Sequence, residues 1–118
     1  MTLHPGHIEL FCTDPARTLE FFTGILGAEL ISEQEGGLYW VDLGGLEFLL
    51  RPGTPALHPS YGACSQALVL YTDNLPATRE LLERRGLVFA GEDGHPDCPT
   101  FHDPDGHWFQ LVDPGDFD

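Results

Sequence analysis

Short blocks of apolar residues, separated by glycine, proline and acidic residues, run along the chain and predict its helices and strands. In the first half they predict a strand, a helix and three further strands, at residues 7–12, 15–26, 28–32, 38–43 and 46–51. In the second half they predict the same order, at residues 66–72, 77–85, 87–90, 100–103 and 107–112. The pattern therefore predicts two βαβββ modules.

The two halves correspond in detail as well as in order. His7 falls on Ala67, Gly27 on Gly86 and Leu49 on Gln110, a nearly constant shift of about 60 residues. We therefore predict a single α+β domain over 1–118, with one module at about 4–52, a proline-rich linker at 53–62 and a second module at about 63–114. Two such modules packed edge to edge can form one curved mixed sheet around a concave cup.

The charge balance excludes some classes of partner. The chain of 118 residues has 19 acidic and 5 basic residues, all of the basic ones arginine, and a net charge of −14. Binding to nucleic acid or to an anionic membrane needs a basic surface, so we expect neither. The acidic excess indicates either a solvated surface or a groove that attracts cationic ligands, and composition does not separate the two.

The cysteine pattern bears on the cellular compartment. Cys12, Cys64 and Cys98 are odd in number and form no CxxC motif, which favours a reducing compartment over a disulfide framework. The first residues lack the basic and apolar regions of a signal peptide, and no apolar run is long enough to span a membrane. We expect a cytoplasmic protein.

Three stretches of the chain resemble a known family. The first strand and helix start (residues 7–14), the helix end Phe-Phe-Thr-Gly-Ile-Leu-Gly (21–27) and the closing hairpin Phe-His-Asp-Pro-Asp-Gly-His-Trp-Phe-Gln-Leu (101–111) are similar to those of the vicinal-oxygen-chelate superfamily. This superfamily includes glyoxalases, extradiol dioxygenases and bleomycin-resistance proteins. The resemblance covers essentially the whole chain and implies the glyoxalase/bleomycin-resistance fold.

The resemblance also implies a divalent metal, held by the first and last strands of each module. The equivalent positions here are His7, Leu49, Ala67 and Gln110. Leu49 and Ala67 cannot bind a metal, and the other two fall short of the three protein ligands of a catalytic zinc site. We therefore expect no cofactor. The alternative is a rearranged Zn, Ni, Fe or Mn site that uses His7, Glu47 and Gln110, with Glu9 within reach on the same sheet face.

A second group of metal-ligand residue types lies near the C-terminus: His95, Asp97, Cys98, His102, Asp103, Asp105 and His107. Its spacing matches no zinc or calcium loop. Turn formation explains Asp103-Pro104-Asp105-Gly106 better, since proline presets φ and glycine permits the chain reversal.

Strand alternation predicts which side chains line the cup. They are His7, Glu9, Phe11, Glu47, Arg51, Tyr71, Trp108 and Gln110. One imidazole, two carboxylates, an arginine and several aromatic rings suit an aromatic or cationic organic ligand, held by stacking and charge pairing.

Two functions follow from this reading. The first is a metal-free, small-molecule-binding protein of the bleomycin-resistance type, which in that branch is a small acidic dimer. The second is a divalent-metal-dependent glyoxalase-like lyase, isomerase or extradiol dioxygenase with a rearranged ligand set. Both imply a homodimer, because cups of this family are often completed by a second chain.

Overall fold

The computed structural model describes residues 1–117. The chain divides into two compact units, the first being Met1–Pro55 and the second beginning at Ala56. This division falls inside the predicted linker. No helix within residues 1–117 is both long enough and apolar enough to cross a membrane.

The first unit has the predicted βαβββ order. Its elements are strand β1 (Ile8–Cys12), helix α1 (Pro15–Glu20) continued by a π-helical turn (Phe21–Ile25), and strands β2 (Glu29–Gln34), β3 (Leu38–Leu43) and β4 (Leu46–Pro52). The sheet order is β1-β4-β3-β2, with β1 parallel to β4 and the other pairs antiparallel. Mixed pairing of this kind confirms the predicted α+β class.

Local sequence explains how the first helical segment begins and ends. Pro15 occupies the first turn, where a missing N–H costs no helical hydrogen bond. At the other end Gly27 has a φ of 77°, in the left-handed region that favours glycine, and the Ala28 N–H donates to the Phe22 carbonyl at 2.9 Å.

The core of the first unit lies on one face of its sheet. Val41, Phe48 and Leu50 are buried there, and the ring centroids of Phe22 and Phe48 lie 5.2 Å apart. Burying one such aromatic side chain stabilises the unit by about 1.5–3 kcal/mol. Because strand side chains alternate, the opposite face is left to His7, Glu9, Glu47 and Arg51 and their neighbours.

The second unit contains strand β5 (Ala67–Tyr71), helix α2 (Leu75–Arg84), strand β6 (Thr100–His102) and strand β7 (Trp108–Val112). Two 3-10 turns lie at Tyr61–Ala63 and Pro114–Phe117. The sheet order is β5-β7-β6, with β5 parallel and β6 antiparallel to β7. Asn74 caps α2 by accepting from the Ala77 N–H at 3.1 Å.

One predicted strand is wrong: residues 87–90 form no regular strand. Only the end of this segment reaches β6, where the Ala90 N–H donates to the Thr100 carbonyl at 2.7 Å and the Thr100 hydroxyl donates to the Ala90 carbonyl at 2.6 Å. Gly91, with a φ of 82°, then turns the chain. A three-residue β6 offers too short an edge for a fourth strand, so this module is βαββ.

Candidate functional site

The polar face of the first sheet is organised around the Glu9 carboxylate. Arg51 donates from Nη1 to Glu9 Oε1 at 2.8 Å, and His7 Nε2 lies 2.9 Å from Glu9 Oε2. The hydrogen bond from Arg51, followed by that from His7, lowers the pKa of Glu9 below its usual value. Since an ionised carboxylate only accepts, His7 must donate from Nε2 in this contact.

Strand register brings these residues together. In the β1–β4 pairing Glu9 lies opposite Leu49 and Phe11 opposite Arg51, and in the β3–β4 pairing Trp40 lies opposite Leu49. All five therefore share one face. The sequence placed Glu9, Phe11 and Arg51 on this face, and the structure brings them together as predicted.

Two aromatic rings border the carboxylate. The His7 ring meets the Trp40 ring edge-on, with centroids 4.5 Å apart, and the Arg51 guanidinium lies 5.2 Å from the Phe11 ring centroid. We call His7, Glu9, Phe11, Trp40 and Arg51 the Glu9 cluster. Its His7, Glu9 and Arg51 side chains remain 33%, 36% and 40% exposed, so a ligand can reach them.

Glu47 lies on the same face, outside the Glu9 cluster. It is exposed and sits directly opposite Asp42 in the β3–β4 register. Among residues 1–117 neither carboxylate takes part in an ion pair. Like charges directly opposite each other destabilise a sheet.

The predicted site residues of the second unit have a different environment. Gln110 and Trp108 are buried. Gln110 Nε2 donates to Tyr61 Oη at 2.8 Å and to Asp93 Oδ2 at 3.0 Å, and Trp108 Nε1 donates to the His58 carbonyl at 3.0 Å. Segments of the unit itself thus cover the side chains that the sequence assigned to a cup.

Tyr71, the remaining predicted site residue, lies on the edge strand β5 and is 75% exposed. The sequence did not predict Tyr61 or Asp93 as site residues. Tyr61 lies in the predicted linker, and Asp93 lies in the loop between α2 and β6. Trp40 was not among the predicted site residues, although its alternation with Asp42 places it on the same face as Glu47.

The donor set does not fit the divalent metal that the family resemblance implies. No group of three or more His, Cys, Asp or Glu side chains that could hold a metal lies within residues 1–117. Leu49 and Ala67 have no donor atom. The Glu9 carboxylate is shared between His7 and the Arg51 guanidinium, and the Gln110 amide is directed at Tyr61 and Asp93.

The C-terminal group of ligand residue types is explained by a turn. The buried Asp103 accepts from the Asp105 N–H at 3.0 Å and from the His107 N–H at 2.9 Å, and its Oδ2 lies 2.6 Å from His107 Nδ1. Gly106 has a φ of 77°. Asp103 therefore closes the β6–β7 hairpin, which is the turn role predicted from the sequence.

These features define an α+β protein built from a repeated module, with an open polar face on the first sheet. A family model described as the Glyoxalase/Bleomycin resistance protein/Dioxygenase superfamily matches residues 4–111, and the chain belongs to this superfamily. The family resemblance drawn from the sequence motifs is thus confirmed. No curated protein sequence matches the chain.

Solved structures of similar fold include fosfomycin resistance proteins. A mutant of FosX from Listeria monocytogenes, complexed with Mn(II) and 1S,2S-dihydroxypropylphosphonic acid, is 22% identical, with a TM-score of 0.74 over 95% of this chain and 90% of that one. FosX from Mesorhizobium loti is 18% identical, with a TM-score of 0.72 over 95% and 92%. A structure from the mobile metagenome of V. Pseudocholerae is 22% identical, with a TM-score of 0.69 over 94% of each chain.

Proposed function

We propose that this protein binds a small organic ligand, aromatic and cationic, on the polar face of the first sheet, without a metal centre. The observation that carries the proposal is the Glu9 cluster on the same sheet face as Asp42 and Glu47, two carboxylates that form no ion pair among residues 1–117. The proposal corresponds to the bleomycin-resistance type of superfamily member.

The Glu9 cluster supplies a prearranged surface. Arg51 and His7 hold the two oxygens of Glu9, and His7 in turn packs against Trp40. A ligand that stacks on these rings therefore meets side chains already fixed by their neighbours, and less ordering entropy opposes binding.

The cationic preference comes from Asp42 and Glu47. Because neither is in an ion pair within the described chain, a cation placed between them relieves their mutual repulsion. A cation over Trp40 adds about 0.5–2 kcal/mol. The net charge of −14 attracts cations at longer range.

A thermal-shift comparison tests this proposal. A cationic acridine dye at about 100 times its Kd should stabilise the protein by about 2.7 kcal/mol, whereas an anionic naphthalene sulfonate of similar size should not. Trp40→Ala and Glu47→Gln should each weaken the response to the dye. Glu33→Gln is the matched control, because Glu33 lies opposite Tyr39 on the other face of the same sheet. An equal response to both dyes, or equal losses in all three variants, contradicts the proposal.

A second candidate is a divalent-metal-dependent lyase, isomerase or extradiol dioxygenase. The comparisons support this candidate more than the first, since FosX structures of similar fold contain Mn(II). Within the chain, it is supported by the His7 imidazole and the Glu9 carboxylate. Both are metal-binding groups, and their Nε2 and Oε2 atoms lie 2.9 Å apart. The lack of donors at Leu49 and Ala67 weighs against it.

Elemental analysis separates the two candidates. Protein purified without chelator should contain no stoichiometric Mn, Fe, Ni or Zn under the first proposal, and its melting temperature should not rise when Mn(II) is added. Stoichiometric metal that is lost in His7→Ala contradicts the first proposal and supports the second candidate.

We further propose a homodimer in a reducing, cytoplasmic environment. Cys12, Cys64 and Cys98 are free thiols, which suits such a compartment. Sedimentation equilibrium measures the assembly directly, and a mass of 13.0 kDa at all concentrations would exclude the dimer.

A further inference from the structure

The second unit carries a hydrogen-bonded arrangement around Gln110 that lies outside the Glu9 cluster. Gln110 lies on β7, the central strand of its sheet, and is 7% exposed. Both contacts of its amide nitrogen go to side chains outside the sheet, Tyr61 and Asp93. An amide nitrogen has two N–H groups, so these two contacts use its full donor capacity.

Each partner is fixed in its own segment. Tyr61 opens the 3-10 turn Tyr61–Ala63, and its ring meets the Trp108 ring edge-on at 6.3 Å. The Asp93 N–H donates to the Cys98 carbonyl at 2.8 Å, which closes the loop around it, and Glu92 bridges to Pro99. We call residues 58–63 and 91–99 the cover segments.

We propose that Gln110 is a clamp that holds both cover segments over strand β7, and that this role excludes a carboxylate at position 110. Asp93 can only accept hydrogen bonds when ionised, so its partner must donate. A glutamate side chain at position 110 offers no donor when ionised, and would place a second negative charge about 3 Å from Asp93, where like charges repel strongly.

The clamp accounts for one departure from the family's metal-ligand pattern. With its nitrogen directed at Tyr61 and Asp93, Gln110 has only the uncharged Oε1 left for any other contact. A charged metal ligand at position 110 is therefore incompatible with the hydrogen bonds that hold the cover segments in place. Position 110 has a structural role here in place of a metal-binding one.

Amide hydrogen exchange combined with thermal melting tests the clamp. Gln110→Glu should accelerate exchange in residues 91–99, where Asp93 loses its donor, by about tenfold or more and lower the melting temperature by about 5–10 °C. Residues 58–63 should change less, because the Tyr61 hydroxyl can donate to the new carboxylate. Gln34→Glu is the matched control, because it makes the same chemical change at an exposed position of β2. It should leave exchange in the cover segments unchanged.

The double variant Gln110→Glu with Asp93→Asn identifies the partner. An asparagine amide at position 93 can donate to a glutamate at position 110, so the double variant should regain most of the lost protection. The clamp is refuted if exchange in the cover segments is the same in Gln110→Glu as in Gln34→Glu. It is also refuted if the double variant regains no protection.

Tyr61→Phe keeps the proposal testable if Gln110→Glu does not fold. It removes one of the two acceptors and should accelerate exchange in residues 58–63 while residues 91–99 keep their protection. Unchanged exchange in residues 58–63 contradicts the clamp. These measurements use no ligand, so their failure leaves the proposed function of the first unit untouched, and the reverse also holds.

Discussion

Removing the Asp103 carboxylate distinguishes a turn from a metal site at the C-terminal cluster. Asp103 is 1% exposed and accepts from two backbone N–H groups, those of Asp105 and His107, while its second oxygen contacts His107 Nδ1 at 2.6 Å. Asp103→Ala leaves both N–H groups without their acceptor. Asp103→Asn keeps one oxygen for them and replaces the oxygen that contacts His107 with an amide nitrogen.

The number of hydrogen bonds lost sets the expected stability cost of each Asp103 variant. A hydrogen bond to a charged group contributes about 1.5–3 kcal/mol, so losing two backbone bonds in Asp103→Ala should cost about 3 kcal/mol or more. For a chain of this size that lowers the melting temperature by about 10 °C. Asp103→Asn should cost about 1–2 kcal/mol, since the backbone contacts persist.

Urea unfolding and thermal melting, each run with and without EDTA, provide the assay. Asp116→Asn is the control, an acid-to-amide change at an exposed position in the same unit. A cost below about 1 kcal/mol for Asp103→Ala would refute the turn argument, because the loss of two hydrogen bonds to a charged acceptor exceeds that. If EDTA destabilises the wild type but not Asp103→Ala, a metal site at the cluster replaces the turn.

Three further predictions concern the first sheet and helix α2. Glu9 has a lowered pKa in the folded state, so its contribution to stability is present above the unfolded value near 4.5 and is lost as pH falls through the folded pKa. The difference in melting temperature between wild type and Glu9→Gln should therefore shrink between pH 6 and about pH 3, and a constant difference contradicts the assignment. Gly53→Ala places a Cβ 2.9 Å from Phe11 atoms and should displace the ring, which NMR shifts of Phe11 and weaker binding of the cationic dye would report. Unchanged Phe11 shifts would refute that reasoning. Asn74→Ala removes the cap of α2 and should cost about 0.5–2 kcal/mol in urea unfolding, whereas a cost within error would mean that the cap is dispensable.

Strand alternation was enough to predict most of the fold. It placed β3 correctly and the other strands to within a residue or two, because one face of each sheet is consistently apolar. It failed at residues 87–90, where Val88 is 81% exposed. There the sequence has strand propensity, but the three-residue β6 bonds only to Ala90 at the end of the segment, and pairing depends on distant residues.

The candidate site was predictable only where its residues follow the two-residue alternation of side chains along a strand. Glu9, Phe11 and Arg51 fall on one face by counting, since β1 and β4 are neighbours. Tyr61 and Asp93 could not be found in this way, because their contacts with Gln110 join residues far apart in sequence through irregular segments. Some loop aspartates accept a hydrogen bond from a buried amide, and others are solvated. Local composition does not distinguish the two.

The two units differ in the surroundings of the equivalent positions of the repeated module. In the first, His7 and Leu49 occupy the equivalent positions, and the surrounding charges stay exposed on an open face. In the second, Ala67 and Gln110 occupy them, and Gln110 is closed over by Tyr61 and Asp93. A metal site with ligands from both modules would need exposed metal-binding side chains on both sheets. Because only the first unit has such an exposed set among the described residues, the proposed ligand site lies on the first sheet and the proposed clamp on the second.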